Sequence, residues 1–137
     1  MGYEVKLFVG RPTSVKHCMD EAPEQQESAW FSVYVEIELF KPGYDSEICA
    51  LSGKERSDEG TPIYMYGLDG NTQFVEDRYG KRLRTLPMPQ VLTALEKDLE
   101  NSKADYPDGY WPFRAAADVL RSAIQYHPEM QVVLYGH

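Results

Sequence analysis

The stretch Ala29-Trp30-Phe31-Ser32-Val33-Tyr34-Val35-Glu36-Ile37-Glu38-Leu39-Phe40 decides how this chain is read. Phe31, Val33, Val35, Ile37 and Leu39 recur at every second position, with Trp30, Ser32, Tyr34, Glu36 and Glu38 between them. A period of two puts the first set on one face of a β-strand and the second set on the other. β-Branched and aromatic residues dominate, so the stretch predicts a long strand of an antiparallel sheet with one covered face. Lys41-Pro42-Gly43 supplies the stop.

Working outward, Tyr3, Val5, Leu7 and Val9 alternate with Glu4 and Lys6, which predicts a half-buried strand ended by Arg11-Pro12. Long acidic loops are expected near 11–28 and 41–61. Within the second, residues 45–52 fit either a short helix, capped by Asp45 and closed by Gly53, or a returning strand. Apolar runs at 63–66 and 72–75 flank Leu68-Asp69-Gly70-Asn71, whose Asp-Gly pair suits a tight hairpin turn. A second hairpin around Gly80-Lys81 would set Asp77 opposite Arg84.

Beyond Pro87 the period changes. Val91, Leu92, Leu95 and Leu99 recur at helical spacing, with Pro89 suited to the first turn. Phe113, Ala116, Ala117, Leu120 and Ile124 form a second stripe after Pro112, and His127-Pro128 ends it. Residues 130–135 close as a short apolar strand. The expectation is a single α+β domain over 1–137: an antiparallel sheet of about five strands, with two helices packed on one face.

Composition narrows the function classes. With 137 residues, 12% of them aromatic, the chain is neither a disordered tail nor a disulfide-dense miniprotein. No apolar run is long enough for a membrane span, and Met1-Gly2-Tyr3-Glu4 leads straight into alternation without an export signal. A cytoplasmic location is therefore expected, with Cys18 and Cys49 as reduced, unpaired thiols. The 22 Asp and Glu against 14 Lys and Arg give a formal net charge of −8, which argues against nucleic acid as the direct ligand. Phosphate loops, nucleophile elbows and zinc or calcium patterns are absent from the sequence, and no cofactor is expected.

Two constellations carry the leading reading. Asp20, Glu21, Glu24, Glu27, Glu36 and Glu38 concentrate negative charge over residues 17–40 with no Lys or Arg between them. Such a field steers a protein onto a basic surface, although it also serves plain solubility. Tyr106, Tyr110 and Trp111, in a Pro- and Gly-rich loop, are of the types that anchor interfaces, or equally that pin a loop to the core. Together they predict a small acidic protein-binding module, an inhibitor or accessory factor that docks on a basic, nucleic-acid-binding surface of a partner protein.

Two alternatives stand beside it. Glu36 and Glu38, about 7 Å apart on one strand face, suit a hydrolase or metal-dependent enzyme, or simply a solvated strand face. Arg78, Lys81, Arg82 and Arg84, with Tyr79 among them, suit a nucleic-acid-binding hairpin, or pairing with neighbouring Glu76 and Asp77. Trp30, Tyr34 and Phe40 on the long strand offer a surface for a homodimer.

Overall fold

The computed structural model describes residues 3–16, 28–43, 45–53, 60–67 and 70–137. Asp20, Glu21, Glu24, Glu27, Cys18 and the Leu68-Asp69 pair of the expected hairpin turn lie outside the described residues. Six strands are present in the order β1 (Val5–Lys16), β2 (Ser28–Phe40), β3 (Ile63–Tyr66), β4 (Gln73–Phe74), β5 (Leu86–Pro87) and β6 (Gln131–Gly136). Three helices accompany them: α1 (Glu47–Ser52), α2 (Met88–Asn101) and α3 (Trp111–Tyr126). The class is α+β, as the sequence predicts.

The sheet order is β4-β3-β2-β1-β6-β5. It is mixed, which corrects the antiparallel expectation: β2 and β3 run parallel, with Ala29 opposite Ile63 and Trp30 opposite Tyr64. The reversal is topological. The connection from β2 to β3 includes α1, and a crossover of that length delivers a parallel neighbour where a tight turn cannot. The run 82–87 then joins two parts of the sheet. Ile63 donates its N–H to the Leu83 carbonyl and Thr85 donates to the Thr61 carbonyl, while Leu86 and Pro87 pair with Val132 and Gln131 of β6. One short segment is thus bonded to β3 at one end and to β6 at the other, which rolls the sheet.

Two apolar clusters follow from this curvature. The first joins Val5, Leu7 and Val9 of β1, Leu39 of β2, and Val132 and Leu134 of β6 to Val91 and Leu95 of α2 and Phe113, Ala117 and Leu120 of α3. The second collects Ala29, Phe31, Ile63, Met65, Leu83 and Val133, with Phe8 and Tyr135 against it. The four strands that lie side by side as β3, β2, β1 and β6 all contribute to that second cluster.

The long strand is where sequence alternation fails. Val35, Ile37 and Leu39 belong with the first cluster, Phe31 belongs to the second, and Val33 is exposed. The cause is a β-bulge. Val9 faces Val35, but the next residue, Gly10, faces Val33, so Tyr34 is an extra residue in β2. One inserted residue exchanges the two faces for everything beyond it. A second shift sets Val5 opposite Phe40 and Lys6 opposite Glu38. There Phe40 takes a φ of 60°, the only positive φ at a non-glycine among the described residues.

Local signals hold better. Residues 45–52 resolve as the helix alternative, although Ser46 and not Asp45 is the cap: its Oγ accepts from the Cys49 N–H at 3.0 Å. Pro89 and Pro112 both occupy first-turn positions. The turn near residue 80 has a different register from the expected one. Glu76 bridges Arg82, and Asp77 caps the turn itself, its Oδ1 accepting from the N–H groups of Tyr79 and Lys81, both at 2.9 Å. Arg84, no longer opposite Asp77, donates to the Gly60 carbonyl.

Candidate functional site

An open groove of about 720 Å³ lies where β2 ends. Four separate parts of the chain line it: Glu4 before β1, the 40–46 turn leading into α1, the C-terminal end of α2 from Asp98 to Ser102, and the loop and helix start from Asp105 to Phe113. Its charge is one-sided. Glu4, Asp45, Asp98 and Asp105 bring carboxylates, against Lys41 as the one cation among the described lining residues. Its aromatic walls are Phe40 and Tyr106, each about half exposed, with Tyr110 and Phe113 behind them.

These walls are held from within. Tyr110 packs against Tyr106 at 5.1 Å between ring centroids, the rings tilted by 56°, and meets Phe113 edge-on at 5.4 Å. The left-handed backbone of Phe40 places a bulky aromatic in a conformation it rarely adopts, at the rim of the groove. Asp98 is structural: its Oδ1 accepts from the Glu47 N–H at 2.8 Å and its Oδ2 from the Ile48 N–H at 3.0 Å. It thereby ties α2 to the first turn of α1 and fixes the wall between them. Burial pushes the Asp98 carboxyl above its ordinary value, the two N–H donors pull it back down, and the Glu47 charge adds to the rise.

Asp98 was legible in principle. It falls on the same helical stripe as Val91, Ala94 and Leu95, all buried. An acid on the apolar stripe of an amphipathic helix calls for a buried partner, and reading only Val91, Leu92, Leu95 and Leu99 passes over it.

The residues singled out from sequence separate into distinct places. Tyr106 and Tyr110 line the groove, whereas Trp111, 75% exposed, begins α3 outside the lining. Glu36 and Glu38 lie on β2 outside the groove lining, Glu38 near enough for its charge to act on Tyr110, and both are engaged: Lys6 Nζ is 3.6 Å from Glu36, and His137 Nε2 is 2.8 Å from Glu38. The His137 contact joins residues 99 apart, across β1, and strand order is what creates it. Among the described residues no group of three or more His, Cys, Asp and Glu is placed to hold a metal ion.

The basic cluster is divided as well. Arg82 donates to Ser28 Oγ and Arg84 to the Gly60 carbonyl, while Arg78 and Lys81 are exposed. Trp30, Tyr34 and Phe40 form no common patch: Trp30 meets Tyr66 edge-on, Tyr34 lies under the Arg11 guanidinium, and Phe40 borders the groove. Cys49 is a free thiol, half-buried, and burial, then the charges of Asp98 and Asp45, hold it above the ordinary thiol value. That direction opposes nucleophilic use. No helix among the described residues is long and apolar enough to cross a membrane.

Tyr110 gives the groove a measurable signature. Burial raises its phenol above the ordinary 10.0, with Tyr106 and the Glu38 charge adding to the rise. A group whose folded value is raised contributes stability that is complete below its unfolded value and is lost as pH climbs through the folded one. Phenolate absorbance during alkaline titration should therefore show a late phase above the ordinary tyrosine range, to which Tyr110 and Tyr135 both contribute, and Tyr110→Phe should reduce its amplitude. A late-phase amplitude unchanged in the variant contradicts the placement of Tyr110.

Comparison of the chain with protein-family models, with curated proteins and with solved structures finds no match.

Proposed function

We propose that this protein is a small binding module that docks on a basic surface of a partner protein, seating cationic side chains of that partner in the groove at the end of β2. The observation that supports it is the lining: Glu4, Asp45 and Asp105 around the half-exposed rings of Phe40 and Tyr106. Carboxylates attract an ammonium or guanidinium over distance, and aromatic faces add about 0.5–2 kcal/mol per well-placed cation. The net charge of −8 extends the attraction beyond the groove.

In this reading the two longer helices pack on one face of the sheet and the protein works in the cytoplasm, as an inhibitor or accessory factor of a nucleic-acid-acting partner. Asp20, Glu21, Glu24 and Glu27, with Glu36 and Glu38, contribute to steering, and Trp111 to the rim of the contact. The alternative, a hydrolase on Glu36 and Glu38, gains a histidine in His137. It is less favoured because Lys6 and His137 already hold both carboxylates.

Calorimetric titration with an acetylated, amidated Gly-Arg-Leu-Arg-Gly peptide tests the proposal. Binding is expected to weaken steeply with salt, and Asp45→Lys with Asp105→Lys should reduce it at least tenfold. Affinity indifferent to both salt and charge reversal would overturn it.

A further inference from the structure

The groove does not end in a uniformly acidic surface. At its Glu4 end the Glu4 N–H donates to the His137 carbonyl at 3.1 Å, and the Tyr79 hydroxyl reaches the same oxygen at 3.4 Å. Tyr3 stacks edge-on against Tyr79 at 4.9 Å between ring centroids. The turn at 77–81 is therefore linked to the Glu4 end of the groove through Tyr3 and His137.

That turn is built to hold its shape. Asp77 is buried beneath it, with Oδ1 accepting both turn N–H groups, and Gly80 supplies the positive φ of 79°. Arg78 is fixed at the backbone, donating its N–H to the Gly136 carbonyl at 3.0 Å. The exposed side chains of the turn are Arg78, Tyr79 and Lys81. Neither Arg78 nor Lys81 is in an ion pair among the described residues, so both present charge to solvent on a pre-organised backbone. Ordering such a turn in advance lowers the entropy lost on binding.

Resting on the proposed function, we infer that the partner segment is dipolar: a basic part fills the groove and an acidic part, next to it in the chain, lies over Arg78 and Lys81. An all-basic segment meets like charge at the turn and loses affinity there. The juxtaposition thus sets both the register and the direction in which the segment crosses the site.

The test uses two acetylated, amidated peptides, Gly-Arg-Leu-Arg-Gly alone and the same sequence extended by Ser-Asp-Leu-Asp-Gly, with a third peptide carrying the acidic half at the opposite end. One of the two extended peptides is expected to bind at least fivefold tighter than the short one. Arg78→Glu with Lys81→Glu should erase that gain and leave the short peptide's affinity unreduced. Equal affinity of all three peptides, or a gain that survives the double variant, overturns the inference while the groove stands. Failure of every peptide to bind overturns the groove reading and this inference together.

Discussion

Gly10→Ala is expected to lower the thermal midpoint by roughly 10–20 °C, the size of a loss of about 3–5 kcal/mol in a domain of this length. A Cβ on Gly10 would stand 1.9 Å from the Ser32 carbonyl oxygen and 2.9 Å from its carbon. Both are backbone atoms of the neighbouring strand, so no side-chain rotation relieves the overlap. Strands β1 and β2 would have to part at the very bulge that sends Phe31 to one cluster and Val35 to the other. Gly43→Ala is the control. Its φ is +87° but nothing lies within 4 Å of the added atom, so the cost is the backbone term alone, about 1–2 kcal/mol. Thermal melts of the two variants compare a blocked strand contact with a strained but open turn. Equal midpoints would mean that the close approach at Gly10 is not what fixes the bulge.

Asp98→Ala should be the most damaging single change in the groove wall. It leaves the N–H groups of Glu47 and Ile48 without their acceptor, and each bare, partly buried donor costs about 1–3 kcal/mol unless water reaches it. Hydrogen exchange should speed up through α1 while the middle of α3, buried at Ala116, Ala117 and Leu120, keeps its protection. Asp98→Asn should fall between, because one carbonyl oxygen replaces two carboxylate oxygens and the amide nitrogen faces a donor. The raised carboxyl value adds a pH signature. Its contribution is complete below the ordinary 3.8 and is lost as pH rises through the folded value. The Asp98→Ala variant therefore lacks that part of the acid-side gain. Unchanged exchange in α1 would show that Asp98 does not hold it.

Element by element, much of this fold is legible in the chain. The period of two marks β1 and β2, and the change to helical spacing after Pro87 marks α2 and α3, because those patterns are local consequences of burying one face. The bulge at Tyr34 is not local. It depends on which residue of β1 stands opposite, and no periodicity within 29–40 carries that information. The parallel pairing of β2 with β3 is hidden for the same reason, as is the meeting of His137 with Glu38. The groove is the least legible feature. Its carboxylates, Glu4, Asp45 and Asp105, come from three widely separated stretches that read individually as solvated charges, and Phe40 reads as the end of a strand. Tyr106 and Tyr110 were accessible to sequence reasoning only because exposed aromatic residues in a Pro- and Gly-rich loop need an explanation of some kind.

The most direct test of the groove as a seat for basic side chains is an amide chemical-shift map of the intact chain titrated with the short Gly-Arg-Leu-Arg-Gly peptide. Saturable shifts concentrated at residues 40–46, 101–106 and 110, reversed by added salt, are expected. Shifts that centre instead on 36–38 or on the outer surface of α3, with 40–46 and 101–106 unmoved, would contradict the groove reading.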